Sequence, residues 1–261
     1  MKAIYAKEGE NISPHSIFLQ PIGSTFKWDK EEDLHHLLRV SRLAVGEEVL
    51  FLNGKGVAVK AIFQSQHKFK RAEFIISEIL TKETLPLKIS LVVGKIKKSN
   101  FEDTLVDAVE LGVDSFTPID TQYSQRYELS KERMALILKH AYQQSNRFHV
   151  MKLCDEISFE SFLKHWIEQD SASNILLFFN VNQTQMDYKS FPAELKNANV
   201  TVLIGPEGGW SPQELALIHQ LKNERSDRVF EVELPTPILR ATTACVAAVG
   251  FVIGKFATFK S

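Results

Sequence analysis

Cysteine is scarce in this chain of 261 residues. Cys154 and Cys245 are the only two, and neither belongs to a CxxC pair. That argues against a disulfide framework or a zinc site and for two reduced thiols. An excess of either charge is also missing, because 31 Lys and Arg against 32 Asp and Glu leave a net charge of -1. Nothing global announces a polyanionic partner, so any nucleic-acid site has to be a local basic face. Long apolar runs are absent as well. The most apolar stretch, Ala244 to Gly254, is too short to span a bilayer. Met1-Lys2-Ala3-Ile4-Tyr5 carries no apolar signal region. The expectation is a cytoplasmic protein with no membrane partner and no metal. No GxGxxG occurs, which removes the dinucleotide fingerprint. Gly250-Phe251-Val252-Ile253-Gly254-Lys255 imitates a phosphate loop, but its glycines are too close together and Phe256 replaces the Ser or Thr that would hold magnesium. There is no internal repeat and no low-complexity tract.

What is present divides in two. Val49 to Leu52 is a short apolar run, Asn53-Gly54-Lys55-Gly56 follows, and Val57 to Phe63 resumes an extended pattern. Asn-Gly between two such runs predicts a hairpin. Phe74-Ile75-Ile76 reads as another strand and Asp33 to Val40 as a helix. Several short strands with turns predict a small barrel over residues 1–80. Thr81-Lys82-Glu83-Thr84-Leu85-Pro86 is polar, ends in proline and reads as a linker.

From residue 86 to 261 the rhythm changes. Ile89 to Val93, Ile175 to Phe179, Val200 to Ile204 and Val229 to Val232 are continuous apolar runs, as buried parallel strands should be. Ser99-Asn100-Phe101-Glu102 and Ser211-Pro212-Gln213-Glu214 both read as capping boxes, the second with proline at the first helical position. Gly112 stands where a C-terminal glycine belongs, and a last helix is expected from about Thr242 to Phe256. Strands alternating with helices predict an α/β domain, a mainly parallel sheet with helices on both faces.

Two segments carry chemistry. In Val200 to Ser211 a buried strand runs into Gly205-Pro206-Glu207-Gly208-Gly209-Trp210 and then into a capped helix. Loops at the carboxyl ends of parallel strands bind ligands in such sheets, and glycines let main-chain groups approach one. A tight strand-helix turn with no ligand explains the same residues equally well. In Leu234-Pro235-Thr236-Pro237-Ile238-Leu239-Arg240 two prolines enforce an irregular path. Arg240 then falls near a helix start, where a positive charge is mildly unfavourable unless it has other work.

Together these segments bring a resemblance. Ile204-Gly205-Pro206-Glu207-Gly208-Gly209-Trp210-Ser211 with Glu214, and Ile238-Leu239-Arg240 with Thr243-Ala244, resemble two signatures of the RsmE-type 16S ribosomal RNA uridine-N3 methyltransferases of the SPOUT superfamily. His35 to Gly46, Asn53 to Gly56, Glu110-Leu111-Gly112-Val113 with Pro118, and Ala141 with Gln144-Ser145 and Arg147 resemble further motifs of that family, in the right order. The sequence departs from the pattern at Thr242 (usually glutamate), Pro235 (usually glycine), Pro237 (often arginine), Asp107 (often lysine) and Gln143 (usually glutamate).

The resemblance implies a PUA-like β-barrel followed by a trefoil-knotted domain that holds S-adenosylmethionine, largely by main-chain contacts. Carried onto this sequence, the cofactor residues are Phe179, Asn180, Ile204, Gly205, Pro206, Glu207, Gly208, Gly209, Leu234, Pro235, Ile238, Leu239, Arg240 and Thr243. It implies methyl transfer to N3 of a uridine in 16S ribosomal RNA or the 30S subunit, by a homodimer. Ala244, Ala247 and Ala248 suit close helix packing either at that dimer contact or within the chain. Arg240 suits stabilisation of a uracil anion. Glu207 suits either accepting a proton or ordering its own loop. His36, Arg39 and Arg42 on the barrel, with Lys95, Lys97, Lys98 and Arg147 on the catalytic domain, are the expected RNA contacts. A related methyltransferase acting on another RNA, or a non-catalytic RNA-binding relative, would share many of these features.

Overall fold

The computed structural model describes residues 2–6, 17–67, 70–84, 87–169, 171–181 and 198–256. Met1 and the linker's last two residues, Leu85 and Pro86, lie outside that set. The chain forms two compact units, one of Met1–Thr84 with Leu138–Val150, the other of Leu85–Ile137 with Met151–Ser261.

The first unit is a five-stranded sheet. Its strands are β1 (Lys2–Tyr5), β2 (Thr25–Trp28), β3 (Glu48–Leu52), β4 (Val57–His67) and β5 (Arg71–Thr81), in the order β1-β3-β4-β5-β2. β1 runs parallel to β3 and the other pairs are antiparallel. Among the described residues this path does not close into a hydrogen-bonded ring. Register shifts at Lys60/Ala61 and Phe63/Ser65 bend the long β4–β5 ribbon. It wraps an aromatic cluster in which Phe26, Trp28, Phe63 and Phe74 surround Phe51 or one another at centroid distances of 5.1–5.5 Å.

The expected helix over Asp33 to Val40 starts two residues earlier as α1 (Glu31–His35) and continues as a wider π turn through His36–Val40. It buries Leu34 and Leu37 completely. Asp33 is 2% exposed. Its carboxylate accepts from the Trp28 indole N–H at 3.3 Å and pairs with Lys139 at 3.1 Å, so the buried charge is compensated. The Asn53-Gly54 hairpin forms as a four-residue loop. The Asn53 side-chain oxygen accepts from the N–H groups of Lys55 and Val57, and Gly54 and Gly56 both take positive φ. Residues 148–150 lie against this loop, with Gly56 donating to the Phe148 carbonyl and Val150 to that of Gly54. A Cβ on Gly56 would meet the His149 ring at 2.6 Å.

The second unit is a parallel sheet flanked by helices. In chain order it holds β6 (Lys88–Gly94), α2 (Lys98–Glu110) and β7 (Ser115–Asp120), then α3 (Lys131–Ser145), whose residues from Leu138 group with the first unit. It continues with β8 (Lys152–Leu153), β9 (Ile157–Ser158), α4 (Phe159–Glu168), β10 (Asn174–Phe179), β11 (Asn199–Ile204), α5 (Pro212–Glu224), β12 (Val229–Val232) and α6 (Ala241–Phe256). The strand order is β12-β10-β11-β6-β7-β8, with β9 also on β7, and every described pairing is parallel.

Side chains alternate across the sheet. Val92, Leu176, Phe178 and Leu203 face Phe159, Phe162, Leu163 and Trp166 of α4 and Ile218 and Leu221 of α5 in one buried cluster. On the other side α6 packs on β11 and β6, and α2 packs on α6. The chain leaves α2 through a Schellman turn: Gly112 at φ +82° donates to Val109, and Val113 donates to Ala108.

One expected signal fails. Ser99 does not cap α2. The helix begins at Lys98, its N-cap is Lys97, and no side-chain cap of its own is present. The N–H of the N-cap itself is met by Glu207, 110 residues away, whose carboxylate accepts from the Lys97 N–H at 3.0 Å. By contrast, both halves of the box at Ser211 and Glu214 form, with Pro212 opening α5.

Candidate active site

The carboxyl ends of β6, β10, β11 and β12 lie side by side, and the loops that leave them line one cleft of about 710 Å³. Open α/β sheets take ligands at that edge, and the volume falls within the range of roughly 300–1,000 Å³ usual for small-molecule pockets.

Residues 205–210 form one wall. Pro206 to Gly209 is a turn closed by the Gly209 N–H on the Pro206 carbonyl at 2.9 Å. Only Gly209 has positive φ, at +72°. The other two glycines are set by neighbours: a Cβ on Gly205 would meet the Trp210 indole at 3.0 Å, and one on Gly208 would meet Tyr123 at 2.8 Å. Trp210 is a wedge beneath the loop. Its ring packs on Phe159 and Phe178 at 5.6 and 5.3 Å, and its N–H donates to the Phe179 carbonyl at 3.4 Å. Gly94, at the end of β6, closes the same wall, for a Cβ there would lie 2.5 Å from Pro206 Cδ.

Glu207 is exposed, and its Oε1 accepts from the Lys97 N–H and, at 3.4 Å, from the Asn100 side chain. The carboxylate therefore faces the positive end of α2 and ties the glycine turn to it. Deeper in, Glu214 is 5% exposed. Its two oxygens accept from the N–H groups of Gln122 and Ser211, fixing the start of α5 to the loop after β7.

The opposite wall is the proline-flanked segment. Thr236 donates to the Leu234 carbonyl at 2.7 Å, a tight bend around Pro235, and Ala244 donates to the Arg240 carbonyl to start α6. Among the described residues, the main-chain N–H groups of Ile238, Leu239 and Arg240 have no acceptor, and the Arg240 guanidinium has no hydrogen bond or ion pair. Arg240 is exposed at the cleft, and Ile238 is 83% exposed.

Of the expected cofactor residues, Phe179, Asn180, Ile204, Gly205, Pro206, Glu207, Gly209, Leu234, Ile238, Leu239 and Arg240 line this cleft. Gly208, Pro235 and Thr243 do not. Asn100, Val181, Trp210, Thr236 and Pro237 also line it, outside the expected cofactor set. Thr236 and Pro237 sit between expected residues, so contiguity was the available signal. Nothing local points to Asn100.

The expected RNA residues divide. His36, Arg39 and Arg42 are exposed in the first unit, and Lys97 and Lys98 are exposed in the second. Lys97 also lines the cleft. Lys95 corrects the expectation: it is 4% exposed, with its ammonium paired to Glu156 at 2.8 Å and donating to the Tyr127 carbonyl at 3.0 Å. A lysine so enclosed has no face to offer a phosphate. Arg147 belongs to the first unit, not the second, and is half-buried with its Nε donating to the His149 carbonyl. Among the described residues no group of three or more His, Cys, Asp or Glu could hold a metal ion, and no helix is long and apolar enough to cross a membrane.

Comparison with known proteins agrees with this geometry. Residues 83–253 match the family model described as an RNA methyltransferase domain, and residues 29–77 match one described as an RNA methyltransferase PUA domain. The chain is 26% identical over 220 residues to the ribosomal RNA small subunit methyltransferase E of Rickettsia conorii, covering 84% of this chain and 85% of that protein. It is 25% identical over 194 residues to the protein of the same name from Bacillus subtilis, covering 70% and 75%. The crystal structure of a ribosomal RNA small subunit methyltransferase E from Neisseria gonorrhoeae, bound to S-adenosyl methionine, matches with a TM-score of 0.76 at 25% identity over the whole of both chains.

Proposed function

We propose, given that the chain belongs to the RNA methyltransferase domain family, that it methylates N3 of a uridine in 16S ribosomal RNA with S-adenosylmethionine as donor. The observation that carries the reading is the meeting of residues 204–210 and 234–240 in one cleft at the carboxyl edge of a parallel sheet. The relatives named for small-subunit ribosomal RNA methylation, and the related structure holding the donor, support it.

The residues present fit such a donor. Apolar side chains of Phe179, Ile204, Leu234 and Leu239 offer walls for a purine, and the main-chain donors of Ile238 to Arg240 await acceptors. When bound, the donor supplies an electrophilic methyl on a sulfonium. The chain's own task is chiefly alignment, which holds the acceptor nitrogen against that methyl. N3 of uracil is a poor nucleophile while protonated, so a fixed cation that stabilises the developing anion lowers the barrier. Arg240, exposed at the cleft and without an internal partner among the described residues, fills that role. Glu207 orders the glycine turn rather than taking the proton, because its carboxylate already serves the start of α2. His36, Arg39, Arg42, Lys97 and Lys98 contact the RNA backbone. The same reading includes a trefoil knot in the domain over residues 86–261, a homodimer and a cytoplasmic location.

The test is methyl transfer from labelled donor to 30S subunits from a strain lacking the modification, with the product nucleotide mapped by mass spectrometry. Methylation at uridine N3 of 16S RNA is expected. A modified nucleotide elsewhere, or RNA binding without transfer, would replace this reading.

A further inference from the structure

Beside the cleft, and not lining it, lies a buried acid. Glu231 is on β12 opposite Phe178 of β10, and its side chain is 5% exposed. Strand alternation puts it on the α5 face, where the ammonium of Lys222 stands 3.3 Å and His219 Nε2 stands 3.4 Å from its Oε2. Its other oxygen, Oε1, accepts from the side-chain amide of Asn180 at 3.1 Å. Asn180 is the residue just past β10 and does line the cleft.

The groups at this strand end are almost all committed. The Asn180 N–H donates to the Val232 carbonyl at 3.1 Å, and its side-chain oxygen accepts from Val181 at 3.0 Å. The Phe179 carbonyl accepts from Trp210. Among the described residues the Asn180 main-chain carbonyl has no donor. A cleft-lining carbonyl in that state suits an amino or hydroxyl donor such as a nucleoside carries.

We propose that Glu231 is a positioning residue for the methyl-donor cleft: it holds the Asn180 amide so that the end of β10 presents its carbonyl to the nucleoside part of the donor. This rests on the reading of the cleft given above. Lys222 keeps the carboxylate compensated in its buried place, His219 stands beside it, and Asn180 passes the constraint on. Burial makes the arrangement stiff, since a loose carboxylate there would lack both its ammonium partner and its amide.

Calorimetric titration of the full-length protein with S-adenosylmethionine and S-adenosylhomocysteine, with thermal melting alongside, tests the idea. Glu231→Ala is expected to weaken both ligands about five- to tenfold, the worth of one net hydrogen bond. Asn180→Ala should do the same, and the double variant no worse than either single one. Glu231→Gln retains an acceptor oxygen and should bind within about twofold of the parent. If Glu231→Ala does not fold, the exchange Asn180→Asp with Glu231→Gln reverses the direction of the hydrogen bond and should restore the affinity that Asn180→Asp alone loses. Additive losses, parent-like binding by Glu231→Ala, or failure of Glu231→Gln to rescue would overturn the assignment. Failure of the parent itself to bind either ligand would instead refute the reading of the cleft.

Discussion

Replacing Glu207 separates two roles that one carboxylate can play. In the structure its Oε1 accepts the N–H of Lys97, the N-cap of α2, at 3.0 Å and the Asn100 amide at 3.4 Å, and the residue is exposed. A hydrogen bond to a charged acceptor is worth about 1.5–3 kcal/mol when water is excluded. An anion at an exposed helix N-terminus is worth about 0.3–1 kcal/mol. Exposure places Glu207 near the lower end, so Glu207→Ala should cost about 1 kcal/mol, or roughly 2–4 °C in Tm. If the free turn must be reordered by the ligand, that cost appears as about fivefold weaker donor binding. Glu207→Gln keeps an acceptor for the Lys97 N–H and loses only the charge. It should recover most of the stability and affinity and turn over within about threefold of the parent at saturating donor, with an unchanged pH-rate profile. The assays are thermal melting, calorimetry and single-turnover methylation of 30S subunits. A proton acceptor would behave otherwise, losing on the order of 10²–10⁴ in rate as glutamine while binding the donor normally. That outcome would refute the loop-ordering account.

Arg240→Ala should bind the donor within a few fold and lose on the order of 10²–10³ in turnover, with Arg240→Lys in between; unchanged turnover in single-turnover assays would remove Arg240 from the chemistry. Gly94→Ala forces a Cβ to within 2.8 Å of the Pro206 nitrogen. It should cost about 1–3 kcal/mol in denaturant unfolding and weaken donor binding with it, and a parent-like variant would mean that β6 and the glycine turn do not touch. Asp107 has its carboxyl raised above the ordinary 3.8 by burial, then by Glu110 and Asp103. Its native state thus holds the proton more tightly than the unfolded chain, and its contribution to stability declines as pH rises through the native pKa. Asp107→Asn should therefore melt above the parent at pH 7, with the gap closing towards pH 4. A lower Tm for the variant at pH 7 would contradict this.

Legibility in the sequence followed the range of the interactions. The strands at Ile89, Ile175 and Val200 were readable because a parallel strand buried on both faces is apolar throughout. The start of α5 was readable because its caps are three residues apart. The start of α2 was not, since the group that completes it comes from Glu207 across the fold. Lys95 misleads for the same reason: its partners, Glu156 and Tyr127, are far along the chain. β7 alternates as a strand should, but Pro118 disguises it, and the proline is tolerated opposite Val93. α4 was legible and passed over, for Ser158 caps it and Phe159, Phe162, Leu163 and Trp166 share one buried face. In the cleft, residues contiguous with a signature were found, whereas Asn100 depends on topology alone.

The return of Leu138–Val150 to the first unit bears on how the protein is made. When Thr84 has been added by the ribosome, the hairpin at Gly54 and Gly56 still lacks the segment that caps it, and another 66 residues (150 - 84) must follow. At about 5–20 residues per second, that is roughly three to thirteen seconds during which the nascent sheet waits, incomplete, at the exit tunnel. A premature stop in that interval would release a chain with the Gly54 loop uncovered.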